Sequence, residues 1–211
     1  LTPSDLNTLI RERYNAVNDN FFSDAFIYNG LYQAQQQLAL ECNLIEKSYT
    51  TTSVAGQREY SYPSTAQSIR RLEYKGVKVL PVDLIQDPKT SLTEPTGTPG
   101  WYAIWGQEYV LFPTPSVSGD QIKVFTFDMP SKVSVTSVLD VPAKYHLALV
   151  DYVMYTMFAK EQNDRMAQFH LGLWQQSVSR IKRERAKALH SDQFACVMDE
   201  AYIPSHPWVV Y

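Results

Sequence analysis

Apolar residues along the first 47 positions recur every three or four places. Leu6, Leu9, Ile10, Tyr14 and Val17 make one stripe, and Ile27, Leu31, Ala34, Leu38, Cys42 and Ile45 make a second. Both read as amphipathic helices. Thr2 ahead of Pro3 and Asp5 has the form of a capped start, with proline where no N–H is needed. Asn18-Asp19-Asn20 breaks the first stripe, and Ser23 is placed to cap the second helix. Gln35, Gln36 and Gln37 read as a solvated or interfacial side. Two helices with so short a connection are expected to pack as an antiparallel hairpin.

The period then changes. From Tyr49 to Met129 the chain is rich in Thr, Val, Ile, Tyr and Phe, and nine of its twelve prolines lie from Pro63 to Pro142. Proline at that density excludes long helices. Tyr60-Ser61-Tyr62 alternates like a strand ending at Pro63. Arg71–Tyr74 and Val77–Leu80 flank Lys75-Gly76, which reads as a tight hairpin. Trp101–Ile104 and Tyr109–Phe112 flank a turn containing Gly106, and Gln121–Asp128 is a further strand stopped at Met129-Pro130. Residues 86–99 read as a long loop.

Helical spacing returns after Val141. Asp140 is the expected cap, with Pro142 in the first turn. Leu147, Val150, Met154, Met157 and Phe158 form a stripe, and Tyr145, Leu149, Tyr152 and Val153 make the other side apolar too, so this helix is expected to be central. Asn163-Asp164 starts a fourth helix with the stripe Met166, Phe169, Leu173, Trp174, Val178 and Ile181. The expected fold class is α+β. A bundle of about four helices (1–47 and 142–190) carries an inserted antiparallel β subdomain (48–141) and an extended C-terminal docking tail (191–211).

With 211 residues, 45% hydrophobic and 13% aromatic, the chain can bury a real core and is not intrinsically disordered. No apolar run approaches the length that spans a bilayer. No secretory signal is visible, and the chain opens on Leu1 rather than Met, as a processed or trimmed start would. Cys42 falls on a helical stripe and reads as a buried thiol. With Cys196 far away there is no disulfide framework or metal knuckle, and assembly in a reducing compartment fits.

Catalytic machinery is not evident. The chain has no phosphate-binding glycine loop and no nucleophile elbow. His146 and His170 sit among apolar residues and read as structural. Asp151 and Glu161 are ten positions apart on one helix, about 15 Å by helical rise, too far to act as a pair. No catalytic, cofactor or metal residue is therefore assigned. Trp101, Tyr102, Trp105 and Tyr109 offer an alternative, an aromatic platform for a carbohydrate or receptor, although aromatics more often fill cores.

Net charge is −3 overall, so the chain is not a free-standing basic nucleic-acid binder. The charge is uneven. Residues 1–47 hold three basic against six acidic residues, and residues 143–211 hold eight against seven. The last third contains Arg180, Lys182, Arg183, Arg185 and Lys187 with only Glu184 among them. That cluster is either a solvated helix end or a surface for phosphate or an acidic partner. The tail is unusual for a chain end. Tyr202, Ile203, Trp208, Val209 and Tyr211 carry much apolar surface, but their burial gains less than their ordering costs. Such a tail is expected to order against a neighbouring chain.

Taken together, these features resemble the adaptor (head-to-tail connector) proteins of tailed bacteriophages, including the tail tubular protein A type. The resemblance runs along most of the chain. It is carried by Asp5-Leu6-Asn7 with Arg11 and Arg13, by Gly97-Thr98-Pro99-Gly100-Trp101-Tyr102, and by Phe112-Pro113-Thr114-Pro115. Gln121–Phe127 with Pro130, and Val141-Pro142-Ala143-Lys144-Tyr145-His146, complete it. The resemblance implies a ring of about twelve copies in the virion neck, assembled in the host cytoplasm and closed by heterologous contacts. It implies as partners the portal protein, a tail or nozzle protein and genomic DNA in the channel, with no membrane, cofactor or catalytic residue. The bundle and C-terminal segment would meet the portal, and the strands would meet neighbours and tail.

Overall fold

The computed structural model describes residues 1–15, 21–84 and 96–198, with side-chain surroundings through Lys187. Four helices and seven strands follow in the order α1 (Pro3–Tyr14), α2 (Asp24–Cys42), β1 (Glu46–Thr52), β2 (Glu59–Ser61), β3 (Ala66–Tyr74), β4 (Val77–Pro81), β5 (Trp101–Trp105), β6 (Glu108–Phe112), β7 (Gln121–Asp128), α3 (His146–Lys160) and α4 (Asp164–Met198). This is the expected α+β architecture. Val17 and Asn18-Asp19-Asn20 lie outside the described residues, as does most of the expected loop over 86–99.

The helices start where their caps place them. Thr2 and Asp5 form a reciprocal capping box, the Thr2 hydroxyl accepting from the Asp5 N–H and the Asp5 carboxylate from the Thr2 N–H. Ser23 accepts from the Phe26 N–H, and Asn163 accepts from the Met166 N–H at the start of α4. α3 begins differently. Asp140 does not cap it but accepts from the Ser131 N–H at 2.6 Å. A single turn of 3₁₀ helix, Ala143–Tyr145, leads in instead.

α3 is the centre of the bundle, meeting α1, α2 and α4. Leu149, Val150, Val153, Met154 and Met157 are buried on it. Gly30 lets α2 come close, since a Cβ there would lie 3.2 Å from Val153 Cγ2. The two later stripes hold through Val150, Met154 and Met157 and through Trp174, Val178 and Ile181, but shift at their edges. Leu147 and Phe169 are exposed, and on α4 the inward face runs through Ala167, His170, Trp174, Val178 and Ile181. α4 also continues eight residues past 190 to Met198, so the last segment begins later than expected.

The sheet order is β1-β7-β3-β4-β5-β6-β2. All pairings are antiparallel except β4 with β5, which is parallel, so the sheet is mixed rather than wholly antiparallel. The hairpin at Lys75-Gly76 has positive φ at both residues, the requirement of its tight turn. Register shifts in β3 add twist. Six strands contribute Tyr60, Leu72, Tyr74, Val79, Tyr102, Tyr109, Leu111, Ile122 and Val124 to one apolar cluster, which demands that the sheet curl around it. β1 was not expected as a strand from Glu46. It is an edge whose residues are mostly exposed, so it shows no apolar alternation to read.

Bundle and sheet have separate cores. The chain crosses between them twice, from α2 into β1 and from β7 back to α3. Two buried polar groups grip the return crossing. Gln35 Oε1 accepts from the Val141 N–H at 3.3 Å, and His146 Nε2 meets the Val141 carbonyl at 2.9 Å. Gln35 is therefore fully buried, contrary to the expectation of a solvated glutamine run, while Gln37 is exposed. At the end of β7 the buried Asp128 carboxylate accepts from the hydroxyls of Tyr49, Thr65 and Thr126.

Candidate functional site

The basic end of α4 is the charged feature that the sequence singled out, and the fold divides its five cations. Lys182 Nζ lies 2.7 Å from Glu41 Oε2 at the end of α2. Its ammonium is held above the usual lysine range by that hydrogen bond. The Arg185 guanidinium donates to the Asn43 carbonyl at 3.0 Å and to the Glu46 carboxylate. Glu46 also receives Arg70 Nη1 of β3 at 2.9 Å. One carboxylate thus ties α4 to β1 and β3 where bundle and sheet meet. Both Lys182 and Arg185 are structural ties.

Arg180, Arg183 and Lys187 differ. All three are exposed, and none has a carboxylate partner among the described residues. Arg180 and Arg183 stand one turn apart on an open groove of about 660 Å³ whose lining includes Asp151, Gln175, Gln176 and Ser179. The amide and guanidinium groups make the groove rich in donors. Glu184 points elsewhere, accepting from Tyr145 Oη at 2.9 Å with Lys144 Nζ at 3.5 Å. These bonds, the tyrosine's first, hold its carboxyl below the ordinary glutamate range.

His146, His170 and Cys42 serve packing. His170 stacks on Phe158 and lies 3.4 Å from Asp151 Oδ1. His146 holds the crossing already described. The Cys42 thiol is buried, and burial pushes it above the usual cysteine range. Among the described residues no three His, Cys, Asp or Glu side chains converge as metal ligands, and no helix is long and apolar enough to cross a membrane.

The four aromatics of the alternative reading do not form a platform. Tyr102 and Tyr109 are buried inside the curl of the sheet, Trp101 packs against a small cluster on its other face, and Trp105 alone is exposed. Tyr202, Ile203, Trp208, Val209 and Tyr211 lie outside the described residues.

Sequence reasoning missed Glu41 and Glu46, the carboxylates that claim two of the five cations. They lie about 140 positions away along the chain, and local spacing carries no signal for them.

The described residues thus form a four-helix bundle bearing a curled sheet, with a donor-rich groove open on α4. Comparison with known families gives the class: residues 1–193 match the SU10 adaptor protein family, and the chain belongs to it. This is a family of phage adaptors, structural rather than enzymatic in kind. The match takes in the bundle, the whole sheet and α4 almost to its end. No curated protein matches the chain.

Proposed function

We propose that the protein is a virion neck component that assembles in the host cytoplasm as a ring beneath the capsid portal, joins it to the tail and encloses the DNA channel. It follows the tail tubular protein A type, with about twelve copies in a closed cyclic arrangement. Its partners are its own neighbours, the portal protein, a tail or nozzle protein, and DNA held without sequence specificity. The bundle and the last segment face the portal, and the β subdomain serves neighbour and tail contacts. Tyr202, Ile203, Trp208, Val209 and Tyr211 dock onto a neighbouring chain of the assembly. Within the basic cluster, Arg180, Arg183 and Lys187 meet phosphate or an acidic partner, because Lys182 and Arg185 are already engaged within the chain.

The observation that carries this reading is the adaptor family match over residues 1–193. The test is assembly on the portal. Free chain mixed with its portal ring at micromolar concentration is expected to give a saturable complex of defined stoichiometry by mass photometry. No association across moderate salt would overturn the reading.

A further inference from the structure

β1 is an open edge of unusual completeness. Its register against β7 runs without a break from Glu46 opposite Phe127 to Thr52 opposite Gln121. Just beyond each end, the Asp128 N–H donates to the Ile45 carbonyl and the Ser53 N–H to the Asp120 carbonyl, each at 2.8 Å. In an antiparallel pair, hydrogen-bonded positions alternate with unbonded ones. Positions 45, 47, 49, 51 and 53 therefore turn their main chain toward β7. Glu46, Ser48, Thr50 and Thr52 turn theirs outward, and no hydrogen bond to those outward N–H and C=O groups exists among the described residues.

Natural edges are kept short, covered, charged or broken by proline. The opposite edge, β2, is short, with three residues. β1 is about 23 Å long at strand rise. From Ser48 to Thr52 it holds neither charge nor proline, and five of its seven residues are exposed. It is a row of donors and acceptors set at strand spacing.

We propose that this edge takes the segment Trp208–Tyr211 of a neighbouring copy as an added strand. The proposal rests on the ring reading above and names the seat of the tail. Three observations select the occupant. Trp208-Val209-Val210-Tyr211 is an unbroken run of strand-forming residues, set off by Pro207. α4 touches the start of β1 through Arg185 and Glu46, then continues as helix to Met198. By helical rise its end lies about 20 Å beyond that contact. In a cyclic ring every copy offers one edge and one tail, so exchange covers all edges with none left over. Strand addition of this kind gains main-chain hydrogen bonds, while side chains set the register.

Proline at Thr50 provides the test. The Thr50 N–H points away from β7, so Thr50→Pro removes an outward donor and leaves the β1–β7 ladder intact. With the full chain on its portal, Thr50→Pro is expected to keep native circular dichroism and to weaken assembly at least tenfold, and Thr50→Val to assemble as the native chain does. Assembly of Thr50→Pro at native strength would overturn the proposal. A second measurement stands even if that variant misfolds. Thr50→Cys chains are mixed with Val210→Cys chains, both carrying Cys196→Ser, and treated with oxidised glutathione, which accepts the two thiol electrons and protons as the disulfide forms. A disulfide-linked pair at twice the chain mass is expected. No pair in the mixture, or pairs formed equally well by either variant alone, would overturn the proposal. A native chain that forms no oligomer at all sinks the ring reading and this one together. Oligomers indifferent to both changes sink this one alone.

Discussion

Single residues decide more here through their polar atoms than through their bulk. Gln35 sits in a run of three glutamines, yet it alone is buried, and it satisfies the Val141 N–H where the chain re-enters the bundle. Removing it leaves that N–H buried without a partner, which costs about 1–2 kcal/mol once the loss of its own unpaired Nε2 is credited. Denaturant unfolding of Gln35→Ala should show that loss, and Gln37→Ala, on the exposed side, should stay within about 0.5 kcal/mol of native. The tyrosines give a second expectation. Burial first of all pushes Tyr49, Tyr74, Tyr102, Tyr109 and Tyr152 above the ordinary phenol range. The unfolded chain ionises these groups from about pH 10, while the folded chain keeps them neutral. Their contribution is therefore complete below that pH and is lost as pH rises through the raised folded values. Phenolate absorbance should rise in two stages, the second coinciding with loss of circular dichroism. All tyrosines titrating together in a folded chain would refute it.

At the scale of elements, α4 is the one whose faces do different work. Its inner face closes the bundle, Lys182 and Arg185 tie it to α2 and to Glu46, and Arg180 and Arg183 are left on an open groove. The two pairs should separate on mutation. Arg185→Gln is expected to lower stability by about 1–2 kcal/mol, since it cuts hydrogen bonds to Asn43 and Glu46 that are only partly open to solvent. The double change Arg180→Gln with Arg183→Gln should leave the melting temperature near native, because exposed charges contribute little. It should instead weaken assembly or DNA retention, with reduced salt sensitivity, because fewer charges remain to be screened. Equal effects of the two sets on both properties would contradict this division.

For the whole molecule, bundle and sheet each have a core of their own among the described residues. Among the described residues the four helices already share one buried core. A chain ending at Met198 is therefore expected to keep its helix content and melting temperature but to fail to join its partners. Within the tail, Trp208→Ala should weaken assembly by about 2–4 kcal/mol, the range of a large aromatic anchor at an interface. A truncated chain that unfolds would place the tail in the monomer core, and one that assembles normally would place the contacts elsewhere. Circular dichroism and a portal pull-down read both outcomes.

The sequence by itself determined the helices and most strands, because caps, stripes and turn residues act over three or four positions. Thr2 with Asp5, Ser23 and Lys75-Gly76 are legible for that reason, as is the adaptor class they helped to suggest. It did not determine which edge of each stripe on α3 and α4 is covered. Leu147 and Phe169 are as apolar as their buried neighbours, and only the packing of four helices decides which side turns inward. β1 escaped because an edge strand with both faces largely wet has no period to detect. The fate of the basic cluster was likewise tertiary. Glu41 and Glu46 reach Lys182 and Arg185 only after α2, β1 and α4 converge, and an ion pair between residues so distant in the chain leaves no mark on local spacing.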